Sequence, residues 1–339
     1  MPQSSEAMKK RKLSYLLLPA ILILLFTQCT QISEYKVIDG FTQGTTYHIV
    51  YEYNHNDSLN YLVESLLAKI DTSMSVYNSS SVVSRINRGE DSLADSLFIE
   101  VFNKSAEINK ISEGAFDISG GPLFEIWGFG AGEKKEVTPS MVDSIRQFVG
   151  MDKVRLEGNK VIKSDKRVAL NFNAIAQGFT SDVIAAEFNK RGINNYLIEV
   201  GGEIFCKGKN ASGNLWSVGI DKPEEGNNIP GESIEGIIML SDKGLATSGN
   251  YRKFIEENGE KYSHTIDPRI GYPVKNTILS ATVIAQDAMT ADALATFFMV
   301  VGMDKTKEYL AAHPELDAFI VFSEDGKFSI YKTEGVILK

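Results

Sequence analysis

Between Tyr196 and Ala285 the chain offers strand-like runs in succession, at Tyr196–Val200, Ile204–Gly208, Trp216–Ile220, Ile234–Leu240, Gly244–Thr247, Tyr262–Ile266 and Ser280–Ala285. Parallel neighbours need a long crossover between them, usually a helix, so strands arriving this closely must pair mostly antiparallel. Two more runs flank the turn residues Gly40 and Gly44 within Tyr35–Tyr53. Others fall at Lys153–Leu156, Lys160–Ile162, Val168–Phe172, Ala318–Phe322 and Phe328–Thr333. Helical spacing is confined to Ser58–Ile70, Leu97–Ser112, Pro139–Val149, Ala176–Arg191, the apolar segment after Gln286, and a separate short helix at Lys305–His313. Strands bunched between helices, without regular βαβ alternation, predict an α+β fold of mostly antiparallel sheets with flanking helices.

The first residues have a different logic. Lys9, Lys10, Arg11 and Lys12 precede an apolar run of 14 residues, Leu13 to Phe26. That is short of the roughly 20 residues of a membrane span and suits the core of a signal peptide. Cys29 closes the run. Residues 1–28 therefore read as a lipoprotein-type signal peptide, with an uncleaved membrane anchor and an incidental cysteine as the alternative. Residues 29–36 read as a tether and 37–339 as a single domain. Lipidation at Cys29 would anchor the body at the periplasmic face of the bacterial inner membrane. Cys206 would then be the remaining thiol, leaving no internal disulfide. The formal charge of −9 becomes more negative when the basic leader is lost, which argues against nucleic acid as a partner.

Chemistry gathers in Gln286–Gly302, QDAMTADALATFFMVVG. Asp292 and Thr296 are four apart and share a helix face. A carboxylate stacked on a hydroxyl suits a hard cation such as Mg²⁺, although a buried helix can also carry such a pair for structural reasons alone. Asp287 and Thr290 stand where a helix start favours caps. The chain has no GxxxxGK[ST], GxGxxG, HExxH or GxSxG motif, and its four histidines (His48, His55, His264, His313) are scattered. Usual nucleotide-kinase, protease, hydrolase and clustered-zinc chemistries are thus unsupported.

Several polar–glycine junctions suggest one ligand cleft: Phe116–Pro122, Asn171–Gly178, Glu199–Glu203, Ala246–Tyr251 and Ser263–Arg269. Among them, Asn173–Gly178, Glu199–Glu203, TSGNYR at Thr247–Arg252, SHTIDPRIGYPV at Ser263–Val274 and ADALAT at Ala291–Thr296 resemble the signature segments of the ApbE family. MSVYNSSSVVSRIN at Met74–Asn87 and FDISGGPLFEIWGFG at Phe116–Gly130 resemble it too, in the expected order.

The resemblance implies an ApbE-like, T-fold-related architecture and a Mg²⁺-dependent FAD:protein FMN transferase. Such an enzyme cleaves FAD, attaches FMN to a Thr or Ser hydroxyl of an acceptor flavoprotein and releases AMP. Carried over by residue, the metal falls to Asp292, Thr296 and the Ala174 carbonyl, with Ala295 adjacent. FAD falls to Gln43, Tyr77, Ala115, Phe116, Asp117, Asn171, Gln177 and Ile266. Tyr77 and Phe116 offer aromatic faces to a flat ring, and the amides of Ala176–Gly178 offer donors to phosphates. Asp292 and His264 carry the catalytic expectations; His264 is a general base or a loop-fixing residue. Acceptors implied are exported flavoproteins with a Thr/Ser flavinylation motif, subunits of redox-driven ion pumps among them. The chain departs from the family's usual residues at Gln43, Asn171 and Gln177. These departures keep a Mg²⁺-dependent FAD pyrophosphatase open beside the transferase, and a non-catalytic periplasmic flavin-binding lipoprotein is the other alternative.

Overall fold

A computed structural model describes residues 34–53, 58–129, 136–224, 227, 231–250, 254–257, 260–263, 265–324 and 327–339. Its frame is an eight-stranded sheet in the order β1 (Tyr35–Thr42), β2 (Thr45–Glu52), β5 (Tyr196–Val200), β6 (Glu203–Lys207), β9 (Lys243–Gly249), β14 (Ile278–Ala285), β15 (Asp317–Glu324) and β16 (Lys327–Lys332). Every neighbouring pair runs antiparallel. Tyr35–Lys339 gather as one compact unit.

Alternation along the strands assigns the two faces. Tyr47, Ile49 and Tyr51 of β2 and Tyr196, Ile198 and Val200 of β5 pack with helices α1 (Asn60–Met74) and α6 (Ala176–Lys190). Leu197, Ile204 and Cys206 point to the opposite face. There they meet Trp216, Val218 and Ile220 of β7 (Trp216–Asp221), which forms a two-stranded ribbon with β8 (Ile234–Leu240). Cys206 is free and buried.

Helix α7 (Ala288–Ala312) has two acids at its start. Asp287 caps it in the ordinary way, accepting from Thr290 N at 2.7 Å. Asp182 of α6 accepts from Ala288 N and Met289 N at 2.9 and 2.8 Å. Two carboxyl groups thus accept from first-turn donors that have no partner within the helix.

The expected break before Lys305–His313 is present: α7 is two helical stretches that meet at a kink, where Gly302 (φ 78, ψ 179) leaves helical geometry. Glycine tolerates that left-handed φ, and Asn276 braces the kink by donating to Met299 O at 2.7 Å. Val168–Phe172 is no strand. The Asn87 side chain brackets Leu170, donating to its carbonyl and accepting its N–H, both at 2.8 Å. The Lys163 ammonium meanwhile donates to Val168 O at 2.9 Å. Side chains thus occupy backbone groups that a partner strand would have taken. The Tyr262–Ile266 run is likewise split, into β11 (Glu260–Ser263) and β12 (Ile266–Asp267). Helices α2 (Val82–Arg88) and α4 (Gly121–Ile126) were not expected from the sequence.

Candidate active site

One cavity of about 1640 Å³ opens where β2, β5, β6 and β9 end against α6 and α7. Asp292, Thr296, Ala174, Gln177, Asn171 and Ile266 line it. So do Gln43, Tyr77, Ala115, Phe116 and Asp117. Segments as distant as Gln43 and Thr296 therefore meet in one place. Ala295 does not join them: it is fully buried within the hydrophobic core, as its position one residue from Thr296 on a helix requires. Cys29 and His264 lie outside the described residues.

The Asp292 carboxylate faces α6 and accepts from Gly178 N at 3.1 Å. The expectation of free amides over Ala176–Gly178 is thereby corrected, since the Gly178 donor is already engaged. Thr296, one turn on, has its Oγ1 3.3 Å from Ser248 Oγ of β9. Helix spacing thus stacks the two oxygen-bearing side chains, while the neighbouring helix and strand fix each of them.

Other residues separate into surface and scaffold. Tyr77 is 64% exposed and its hydroxyl accepts from Asn173 Nδ2 at 3.4 Å. Phe116 is 2% exposed and belongs to the hydrophobic core, so most of its ring is packed against protein. Asp117 is committed to the local backbone, accepting from Ser119 N at 2.7 Å, Ser119 Oγ at 2.6 Å and Met151 N at 3.2 Å. Burial pushes its carboxyl above the usual range, while these hydrogen bonds pull the other way. Asn171 Oδ1 accepts from Asn173 N at 2.8 Å, which shapes the turn leading to Ala174. Gln43 occupies the β1–β2 turn at φ 50 and donates to Thr180 Oγ1 at 2.7 Å, tying that turn to α6.

Sequence alone places Glu203 in the polar–glycine junction Glu199–Glu203 and assigns it no role of its own. It opens β6 at 8% exposure, lines the cavity, and its Oε2 has no hydrogen-bond partner among the described residues. Burial first, and repulsion from Asp292 second, push its carboxyl well above the usual range. Burial likewise raises Asp292, against the pull of the Gly178 N–H. His48 is the other unforeseen residue. It sits across from Glu199 in the β2–β5 register and its Nδ1 is 2.5 Å from Asp39 Oδ1.

Among the described residues lining the cavity there is no Lys or Arg, whereas Asp71, Asp117, Glu199, Glu203, Asp221 and Asp292 all contribute. An anionic ligand entering such a site must bring its own counter-charge or meet a bound cation. No group of three or more His, Cys, Asp or Glu suited to a metal occurs among the described residues. The available donors are instead carboxylate, hydroxyl and carbonyl oxygens, the set a hard divalent ion prefers. The unpartnered Glu203 Oε2 beside a second buried carboxylate fits such an ion.

The ApbE family profile matches residues 43–320. The chain belongs to the ApbE family. An FAD:protein FMN transferase of Haemophilus influenzae is 36% identical over 320 residues, covering 87% of this chain and 89% of the relative. One from Vibrio cholerae is 34% identical, with 90% and 92% covered. Among solved structures, the flavin transferase ApbE of Vibrio cholerae superposes with a TM-score of 0.80 at 32% identity, covering 89% of this chain and 98% of that one. The apo flavinyl transferase ApbE of Pseudomonas stutzeri gives 0.79 at 28% identity, with 89% and 95% covered. This ApbE chain thus shares the α+β, mostly antiparallel architecture of those transferases along nearly their whole length.

Proposed function

We propose that this chain is an FAD:protein FMN transferase that uses Mg²⁺ and modifies a Thr or Ser hydroxyl of an acceptor flavoprotein. The observation that carries the reading is the cavity's charge: two buried acids, Asp292 and Glu203, and no lysine or arginine among its described lining residues. A pyrophosphate substrate is incompatible with that surface unless a cation intervenes.

Asp292, Thr296 and the Ala174 carbonyl would hold the ion. When bound, it would supply charge neutralisation for the pyrophosphate and for the leaving phosphate. The chain itself does the positioning. Gly178 N–H holds the Asp292 carboxylate in place, and Ser248 does the same for the Thr296 hydroxyl. Tyr77 presents an exposed ring for the isoalloxazine or adenine to stack on. In the reaction the acceptor hydroxyl oxygen forms a bond to the FMN phosphorus as the bond to the AMP oxygen breaks. The hydroxyl proton passes to a base, for which His264 is the candidate.

Residues 1–28 and Cys29 complete the proposal as an export signal and lipid anchor at the periplasmic face of the inner membrane. Among the described residues no helix is long and apolar enough to cross a membrane. Incorporation of labelled palmitate into the full chain, lost in Cys29→Ser, tests the anchor.

The transfer itself is tested by mass spectrometry after incubation with FAD, Mg²⁺ and exported flavoproteins of the same cell. The expected product is an acceptor heavier by about 438 Da, FMN minus water, which disappears with EDTA or in Asp292→Asn. AMP and free FMN with no adduct would establish a pyrophosphatase instead. Unaltered bound FAD would leave a flavin-binding protein.

A further inference from the structure

Glu203 sits where two elements fix it independently of any ligand. The tight turn before it, Gly201 (φ 72) and Gly202 (φ 105), uses backbone that other residues rarely adopt. A Cβ on Gly201 would fall 2.5 Å from the Gln177 side chain and 2.9 Å from Thr45, so the turn is wedged between α6 and β2. Ser181 Oγ of α6 donates to the Glu203 carbonyl at 2.9 Å. Along β6, Ile204 and Cys206 belong to the core beneath the β7–β8 ribbon, while Phe205 packs with the helix-side core. Alternation therefore sends Glu203 toward the helices as well, to the face where Asp292 lies.

A glutamate retained in such a place for structural reasons should have found a donor. An unsatisfied buried polar group is destabilising, and more so when charged. Here the carboxyl meets its own backbone N–H, Oε2 has no donor among the described residues, and the strongest charge acting on the group is another carboxylate. Two buried acids from different elements, facing one cavity without a Lys or Arg in its described lining, leave a charge deficit that one divalent ion would close.

We propose that Glu203 supplies the second carboxylate of the cation site, opposite Asp292, so that the ion is gripped between strand β6 and helix α7. This assignment rests on the Mg²⁺-dependent reading above and adds an anionic ligand to it. The site then binds Mg²⁺ before any pyrophosphate arrives.

Calorimetric titration of Mg²⁺ into the metal-free full chain, without FAD, tests this. Glu203→Gln, which keeps shape and removes charge, should weaken Mg²⁺ binding at least tenfold. Its metal-free melting temperature should equal or exceed that of the wild type, because a buried repulsion is gone. Unchanged Mg²⁺ affinity in Glu203→Gln, alongside lost affinity in Asp292→Asn, would overturn the inference and leave the transferase reading standing. A wild type that binds no Mg²⁺ in the absence of FAD would also overturn the inference, and the transfer assay with FAD decides the transferase reading separately. The unmutated protein gives a second readout. With Mn²⁺ bound and the glutamate carboxyl carbons labelled with ¹³C, a ¹³C hyperfine coupling is expected, and its absence would remove Glu203 from the site.

Discussion

Gly178 N–H donates to Asp292 Oδ2 across the contact between α6 and α7, at 3.1 Å. Nothing but a hydrogen at the Gly178 α-carbon allows that approach. A Cβ there would lie 2.3 Å from the Ala288 carbonyl oxygen and 2.9 Å from Asp292 Cβ. The neighbours most affected are backbone, which cannot rotate away.

Gly178→Ala should accordingly push the two helices apart rather than fill a space. Overpacking of this kind costs about 1–3 kcal/mol. Because the displaced group carries the Asp292 carboxylate, Mg²⁺-dependent turnover should fall more than global stability does. Urea denaturation and initial rates against Mg²⁺ concentration measure the two effects separately. Wild-type metal dependence in the variant would show that the helix contact does not position Asp292.

Buried carboxyls should also govern how stability follows pH. Asp182 is pushed to about 7 by burial, against the two amides it caps, although part of its surface still reaches solvent. Burial raises Asp292 to about 7 as well, and Glu203 moves up with it. A carboxyl whose pKa is higher in the folded chain than in the unfolded one binds its proton more tightly when folded. Its stabilising contribution is complete below the unfolded value of about 4 and is lost as pH rises through the folded value. Metal-free protein should therefore lose stability between about pH 4 and 7. Mg²⁺ should restore it at pH 8 and do little at pH 5. Denaturation midpoints in EDTA and in Mg²⁺ across that range decide the matter; a metal-free protein that gained stability toward pH 8 would contradict it.

The legible parts of this fold were those that local pattern controls. β5, β6 and β9, the run of α6 and the Asp287 cap all follow from side-chain period and turn residues within a few positions. The pairing of Asp292 with Thr296 follows in the same way from a spacing of four. Asn87 acting as a surrogate strand for Leu170 was not legible, because a contact across 83 positions leaves no periodic trace. Glu203 escaped for a related reason. The sequence marks Glu199–Glu203 as a polar–glycine junction, but which of its acids is buried facing α6 and α7 is a property of the whole molecule. Phe116 was legible as aromatic but not as core, since exposure of a ring depends on what the rest of the chain places against it.

Tyr77 and Phe116 provide the sharpest separation between binding and folding. Both are aromatic and both border the cavity, yet one is 64% exposed and the other 2%. Tyr77→Ala removes a ring with little packing to lose, so the melting temperature should barely move. A lost stacking partner is worth about 1 kcal/mol, and the apparent affinity for FAD should weaken roughly fivefold. Phe116→Ala empties a core position, and large-to-small changes of that kind cost about 3–5 kcal/mol. Its first effect should be unfolding at lower denaturant, with FAD affinity affected only as the folded fraction falls. FAD titration by flavin fluorescence, run beside urea denaturation on both variants, separates them. Equal losses of stability in the two would mean that Tyr77 belongs to the scaffold and not to the flavin site.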